Sequence, residues 1–117
     1  MDAICHVVAR GEWDPDADEY RHETLDSQGF IHFSDPEQVV PVAESNHAGE
    51  ENLVILVVDA DAVDAEVVYE ALGDASEPYP HVYGPLNTDA VVEAVPFPPD
   101  PDGGFSLPER VRTLAER

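Results

Sequence analysis

From Leu53 to Val58 the chain runs through six consecutive apolar residues, LVILVV. Side chains of a strand alternate between its two faces, so a run apolar on both faces belongs in the middle of a sheet. Asn52 to Asp59 is therefore read as a central strand, and the remaining segments must supply its neighbours. Ile4 to Ala9 reads as a first strand, with Ile4, His6 and Val8 on one face. Gly29 to Phe33 reads as a second, with Phe30 and His32 sharing a face opposite Ile31 and Phe33. Glu66 to Glu70 and Ala90 to Phe97 are further β-branched runs, the latter closed by prolines.

Helical signals are fewer. Gly11 to Glu19 reads as a short acidic helical connection anchored by Trp13. Ser34-Asp35-Pro36-Glu37 reads as a capping box opening a helix through Val39, Val40, Val42 and Ala43, with a kink or early stop at Pro41. Pro96 to Gly104 carries four of the eleven prolines and two adjacent glycines, the pattern of an extended linker. Beyond it, Ser106 and Glu109 are spaced as a second capping box around Pro108. The helix that follows puts Leu107, Val111 and Leu114 on one face and either docks or frays. The expected class is α+β, with small mixed or antiparallel sheets and few helices. Residues 1–97 form one domain in this reading, and residues 98–117 the linker and terminal helix.

The 117 residues include 26 acids against 5 cations, a net charge of −21, and every cation is an arginine. The acids are dispersed among apolar segments, as on a surface built for concentrated salt, where screening relieves their repulsion. The composition is that of a halophile's cytoplasmic protein, and its stability is expected to rise steeply between low and molar KCl. No basic stripe exists to release counterions, which excludes general nucleic-acid binding. No apolar run approaches the length of a membrane span, and the start of the chain lacks a basic, apolar leader. The single cysteine, Cys5, excludes an intrachain disulfide and a multi-cysteine zinc site.

Three of the five histidines, His6, His32 and His81, lie inside apolar strand-like segments, whereas His22 and His47 lie in polar surroundings and read as surface residues. If their strands are neighbours, the three can line one cleft as hydrogen-bonding or acid–base groups near neutral pH; each can equally be a satisfied half-buried residue. Ser34 caps a helix or borders an anion site. Pro80 to Leu86 reads as a rigid turn presenting His81 and Tyr83 on one face, either a preformed ligand site or a structural corner. Arg21, retained where every lysine has gone, holds a specific carboxylate or phosphate, or an internal salt bridge. Phosphate-loop, dinucleotide-fingerprint, zinc-protease and nucleophile-elbow motifs are absent.

The stretches Ile4-Cys5-His6-Val7-Val8, Gly29-Phe30-Ile31-His32-Phe33-Ser34 and Pro80-His81-Val82-Tyr83-Gly84-Pro85-Leu86, in that order and spacing, resemble the family catalogued as domain of unknown function 952. The resemblance runs from about Ile4 to Phe97 and leaves out the C-terminal helix. It implies an ADP-ribosyltransferase-like fold holding NAD, ADP-ribose or a related phosphorylated compound between two small sheets, with transferase activity. By that resemblance His6, Arg21 and Ser34 bond ribose and phosphate, and Tyr83 stacks on a ring. His32 or His81 does the acid–base work, and Glu70 is the late-strand glutamate that orients the nucleophile. No metal is expected. Two rival readings stand beside it. One is a zinc site of His6, His32 and His81. The other is a non-enzymatic module meeting a protein partner through the Pro80–Leu86 turn or the C-terminal helix.

Overall fold

The computed structural model describes residues 1–71, 73 and 76–117. Its frame is a three-stranded sheet in the order β1 (Ala3–Ala9), β4 (Leu53–Asp59), β8 (Val91–Pro96). The six-residue apolar run is β4, the middle strand, with Leu53 to Val58 all buried. It pairs antiparallel with β1, from Ala3 opposite Asp59 to Ala9 opposite Leu53, and with β8 through a bulge at Val57/Val58. A second three-stranded sheet, β3 (Ile31–His32), β6 (Tyr79–Val82) and β5 (Val67–Glu70), lies across the first. A short ladder joins β2 (Glu19–Tyr20) to β7 (Leu86–Asn87). Every strand pairing among the described residues is antiparallel, so the chain has the expected α+β class with antiparallel sheets and few helices.

Alternation along β4 divides the interior in two. Leu53, Ile55 and Val57 face a helical layer that contains Val39, Phe97, Phe105, Val111 and Leu114. Val54, Leu56 and Val58 face the second sheet, meeting Ile4, Ile31, Phe33 and Val82. Both layers bury apolar surface on one strand, which is why Leu53 to Val58 of β4 carry no polar residue.

The helices correct several expectations. The residues 11–19 form only a 3-10 turn, Arg10–Glu12, before an irregular stretch, although Trp13 does pack, edge-on to Tyr20. A helix that the sequence did not announce, α1 (Glu23–Ser27), follows, with His22 as its cap. Gly29, at φ +90°, ends it by donating to the Thr24 and Leu25 carbonyls, so this residue closes a helix instead of opening a strand. The next cap is Asp35, not Ser34: its N–H donates to Gln38 Oε1 at 2.9 Å, and a 3-10 turn (Pro36–Gln38) leads into α2 (Val39–Asn46). Pro41 lies in the first turn of α2, where a missing N–H costs little, and the helix runs on past it.

The C-terminal α3 (Glu109–Ala115) docks, with Val111 and Leu114 fully buried. The linker before it contains a turn, closed by Gly103 N–H to the Asp100 carbonyl at 2.8 Å. Ser106 does not cap α3; its hydroxyl donates to Asp100 Oδ2 at 2.6 Å and Pro108 takes the cap position. No helix among the described residues is long and apolar enough to cross a membrane.

Only two arginine–carboxylate pairs occur among the described residues, Arg21 with Asp26 and Arg110 with Glu93. Most of the 26 acids are thus uncompensated, and screening should relieve them. Thermal unfolding is expected to shift upward by many degrees from 0.1 to 2 M KCl; an unchanged midpoint would count against salt adaptation.

Candidate active site

β1 and β3 are both edge strands, and the two sheets meet where they touch. Cys5 and Ser34 form an isolated antiparallel bridge there, exchanging backbone bonds of 2.7 Å in each direction. Beside the bridge opens a cleft of about 540 Å³, within the usual range for small-molecule sites. Its walls come from β1, α1, the Phe33–Ser34 segment, one side of α2 from Pro41 to Asn46 and the outer face of the second sheet. All five histidines line it. His22 and His47, read from sequence as surface residues, therefore belong to the cleft.

His81 and His32 face each other across the β3–β6 ladder, paired in register with ring centroids 5.3 Å apart. His81 is only 3% exposed and stacks on Phe30 at 4.2 Å. Its Nδ1–H donates to Glu70 Oε1 at 2.8 Å from the neighbouring strand β5. A carboxylate only accepts, so the proton of this bond sits on Nδ1 and the other nitrogen, Nε2, carries a lone pair. That nitrogen has no hydrogen-bond partner among the described residues and is not sealed from solvent. Glu70 also accepts from the Tyr83 hydroxyl. The Tyr83 and His81 bonds hold the Glu70 carboxyl below its ordinary range, and the same bond raises the Tyr83 hydroxyl. His32 donates its Nε2–H to Gln28 Oε1 at 2.9 Å. Partial burial and the neighbouring His81 and His22 lower its pKa, so it is neutral at pH 7.

His6 lines the cleft, but both nitrogens of its ring are committed inside the protein. Nδ1–H donates to the His32 carbonyl at 2.7 Å, and Nε2 accepts from the Tyr20 hydroxyl at 2.9 Å. Burial pushes its pKa down to about 3, so it is a neutral structural imidazole. In this arrangement neither nitrogen of His6 is free for the expected ribose bond or for a three-histidine zinc site. Among the described residues no three His, Cys, Asp or Glu side chains are disposed to hold a metal ion.

Other expectations are redistributed. Arg21 does not line the cleft: its side chain is 52% exposed and reaches Asp26 at 3.5 Å. Ser34 lines it and is buried. Tyr83 stands outside the wall, 40% exposed, and serves by bonding Glu70. Cys5 sits on the wall as a thiol that burial pushes up to about 12, unfit as a nucleophile. Pro80 to Val82 is not a turn but part of the middle strand of its sheet, and Tyr83 to Pro85 link that strand to β7. The apolar face of α3 is spent in the core.

No curated protein gives a significant match to the chain. Among solved structures, the crystal structure of protein CC0527 from Caulobacter crescentus is similar at 28% identity and a TM-score of 0.82, over 94% of this chain and 98% of that one. The solution structure of CC0527 is similar at 30% identity and a TM-score of 0.76, over the whole of both chains. Residues 7–94, three quarters of the sequence, match the model of a described family, from the end of β1 through most of β8. The chain belongs to that family, Protein of unknown function (DUF952).

Proposed function

We propose that the cleft binds a small organic ligand and that His81, held by Glu70, exchanges a proton with it. The observation that carries this reading is the Glu70–His81 pair, with one imidazole nitrogen fixed on a carboxylate and the other bare at the wall of a concave site. A carboxylate on Nδ1 fixes the tautomer and stabilises the imidazolium that forms when Nε2 takes a proton. Phe30 beneath the ring and Tyr83 behind the carboxylate keep the pair in place. His32, alongside and neutral, is the second polar group that a ligand meets.

The particular form implied by the family resemblance is an ADP-ribosyltransferase-like enzyme acting on NAD or ADP-ribose. In that form Glu70 works through His81 instead of meeting the nucleophile directly, because its Oε1 already accepts from both His81 and Tyr83. Thermal unfolding in molar KCl with either compound tests it. At about a hundredfold excess over Kd the expected gain is about 2.7 kcal/mol, abolished by His81→Ala. No gain with either compound would remove the nucleotide form.

The proton-transfer reading is tested separately by nitrogen-15 spectra of the histidine rings. In the neutral ring of His81, the resonances should show Nδ1 protonated and Nε2 bare, and Glu70→Gln should mix the two tautomers. A wild-type ring protonated on Nε2 would overturn the reading.

A further inference from the structure

The charge around the cleft is unusually one-sided. The chain has no lysine, and none of its five arginines lines the cleft. Among the described residues, the one side chain on the wall that is ionised throughout the neutral range is the Glu70 carboxylate. α2 ends at the cleft with Ser45, Asn46 and His47, so the negative end of its dipole is directed there. His6 and His32 are uncharged at neutral pH, and His47 already donates to Glu50 at 2.9 Å. The net charge of −21 adds a field of the same sign.

We propose that the cleft selects by charge, admitting planar nitrogenous cations and uncharged amides and rejecting carboxylates and phosphates of the same shape. This rests on the reading of the cleft as a small-ligand site, not on its nucleotide form, whose phosphates the same wall would repel, and adds the class of ligand. A cation gains the Glu70 carboxylate and the carbonyl end of α2, while an amide N–H can still donate to His81 Nε2. An anion meets no permanent positive charge and gives up its hydration without return.

The test uses three nearly isosteric probes of charge +1, 0 and −1: benzamidine, benzamide and benzoate. Binding to the full chain at pH 8 is followed through its histidine ring resonances. Benzamidine should bind about tenfold or more tighter than benzoate, with benzamide between. Glu70→Gln should narrow that gap severalfold. Ser45→Arg, at an exposed position on the rim, should tighten benzoate and weaken benzamidine. Benzoate binding as tightly as benzamidine would overturn charge selection and leave the small-ligand cleft standing. Silence of every histidine towards all three probes would overturn the small-ligand reading itself, and the selection with it.

Discussion

Replacing Phe97 with alanine is expected to remove about 3–5 kcal/mol of stability, a large part of what a domain of this size possesses. Phe97 is fully buried in the helical layer, its ring 4.9 Å from that of Phe105. It follows directly on β8, and its N–H donates to the Leu53 carbonyl at 2.9 Å, so its place is fixed by the central strand. The cavity left by truncation cannot collapse easily, because Val111 and Leu114 on its far side are tied to α3 and to the turn before it. Urea denaturation at constant high KCl measures the loss, and Phe97→Leu should recover more than half of it. A loss below about 1 kcal/mol would mean that the tail contributes little to the core.

The second large effect is an acid-side loss of stability caused by His6. Burial holds this imidazole neutral, with its pKa lowered from 6.5 to about 3. Once unfolded it protonates near pH 6.5, so below that pH the unfolded chain binds the extra proton. The stabilisation is complete above pH 6.5 and falls as pH drops, by up to about 1.4 kcal/mol per unit, until the folded pKa is reached. By pH 5 the loss attributable to His6 is about 2 kcal/mol. His32, lowered by its surroundings, adds in the same direction. Carboxylates begin to protonate only below that window and then act oppositely, by relieving the repulsion of the −21 charge. Urea midpoints between pH 8 and 5 report the slope. His6→Gln should flatten it by close to one proton whatever its effect on absolute stability, and an unaltered slope would show that His6 titrates normally.

Much of the frame was legible because burial leaves a direct trace in composition. β4, β1 and β8 each appear as apolar runs, and the pairing of Phe30 with His32 against Ile31 with Phe33 is what the second sheet shows. β6 was hidden by Pro78, Pro80 and Pro85, which read as a turn. Pro80 is tolerated inside the strand because what it contributes there is a carbonyl, accepting from the Phe33 N–H at 3.0 Å. α1 was hidden because it is five residues long and capped by a histidine instead of Ser, Thr, Asp or Asn.

The site was legible in part. Glu70, His32 and His81 come together because two β ladders align them, and the period-two argument reached that face. Scarcity of cations made Arg21 seem reserved for a ligand, yet Asp26 a few residues on engages it at the surface. No local pattern could show that His22 and His47 border the same space as His81, since that juxtaposition arises only when α1 and α2 close over the sheet edge.

The two-sided burial of β4 has a consequence for how the chain finds its alignment while folding. A strand apolar on both faces would fit its site equally well after slipping by one residue, since hydrophobicity alone distinguishes neither face. β1 breaks that degeneracy, because it holds one strongly polar side chain among small and aliphatic ones. Shifted by one, His6 would swing away from Tyr20 and the His32 carbonyl into the layer of Phe97 and Leu114, where its two nitrogens would be stranded. The imidazole that looked most like a ligand contact is thus a key cut for one lock, by which the hairpin-like pairing of the first and fourth strands rejects its nearest misalignment.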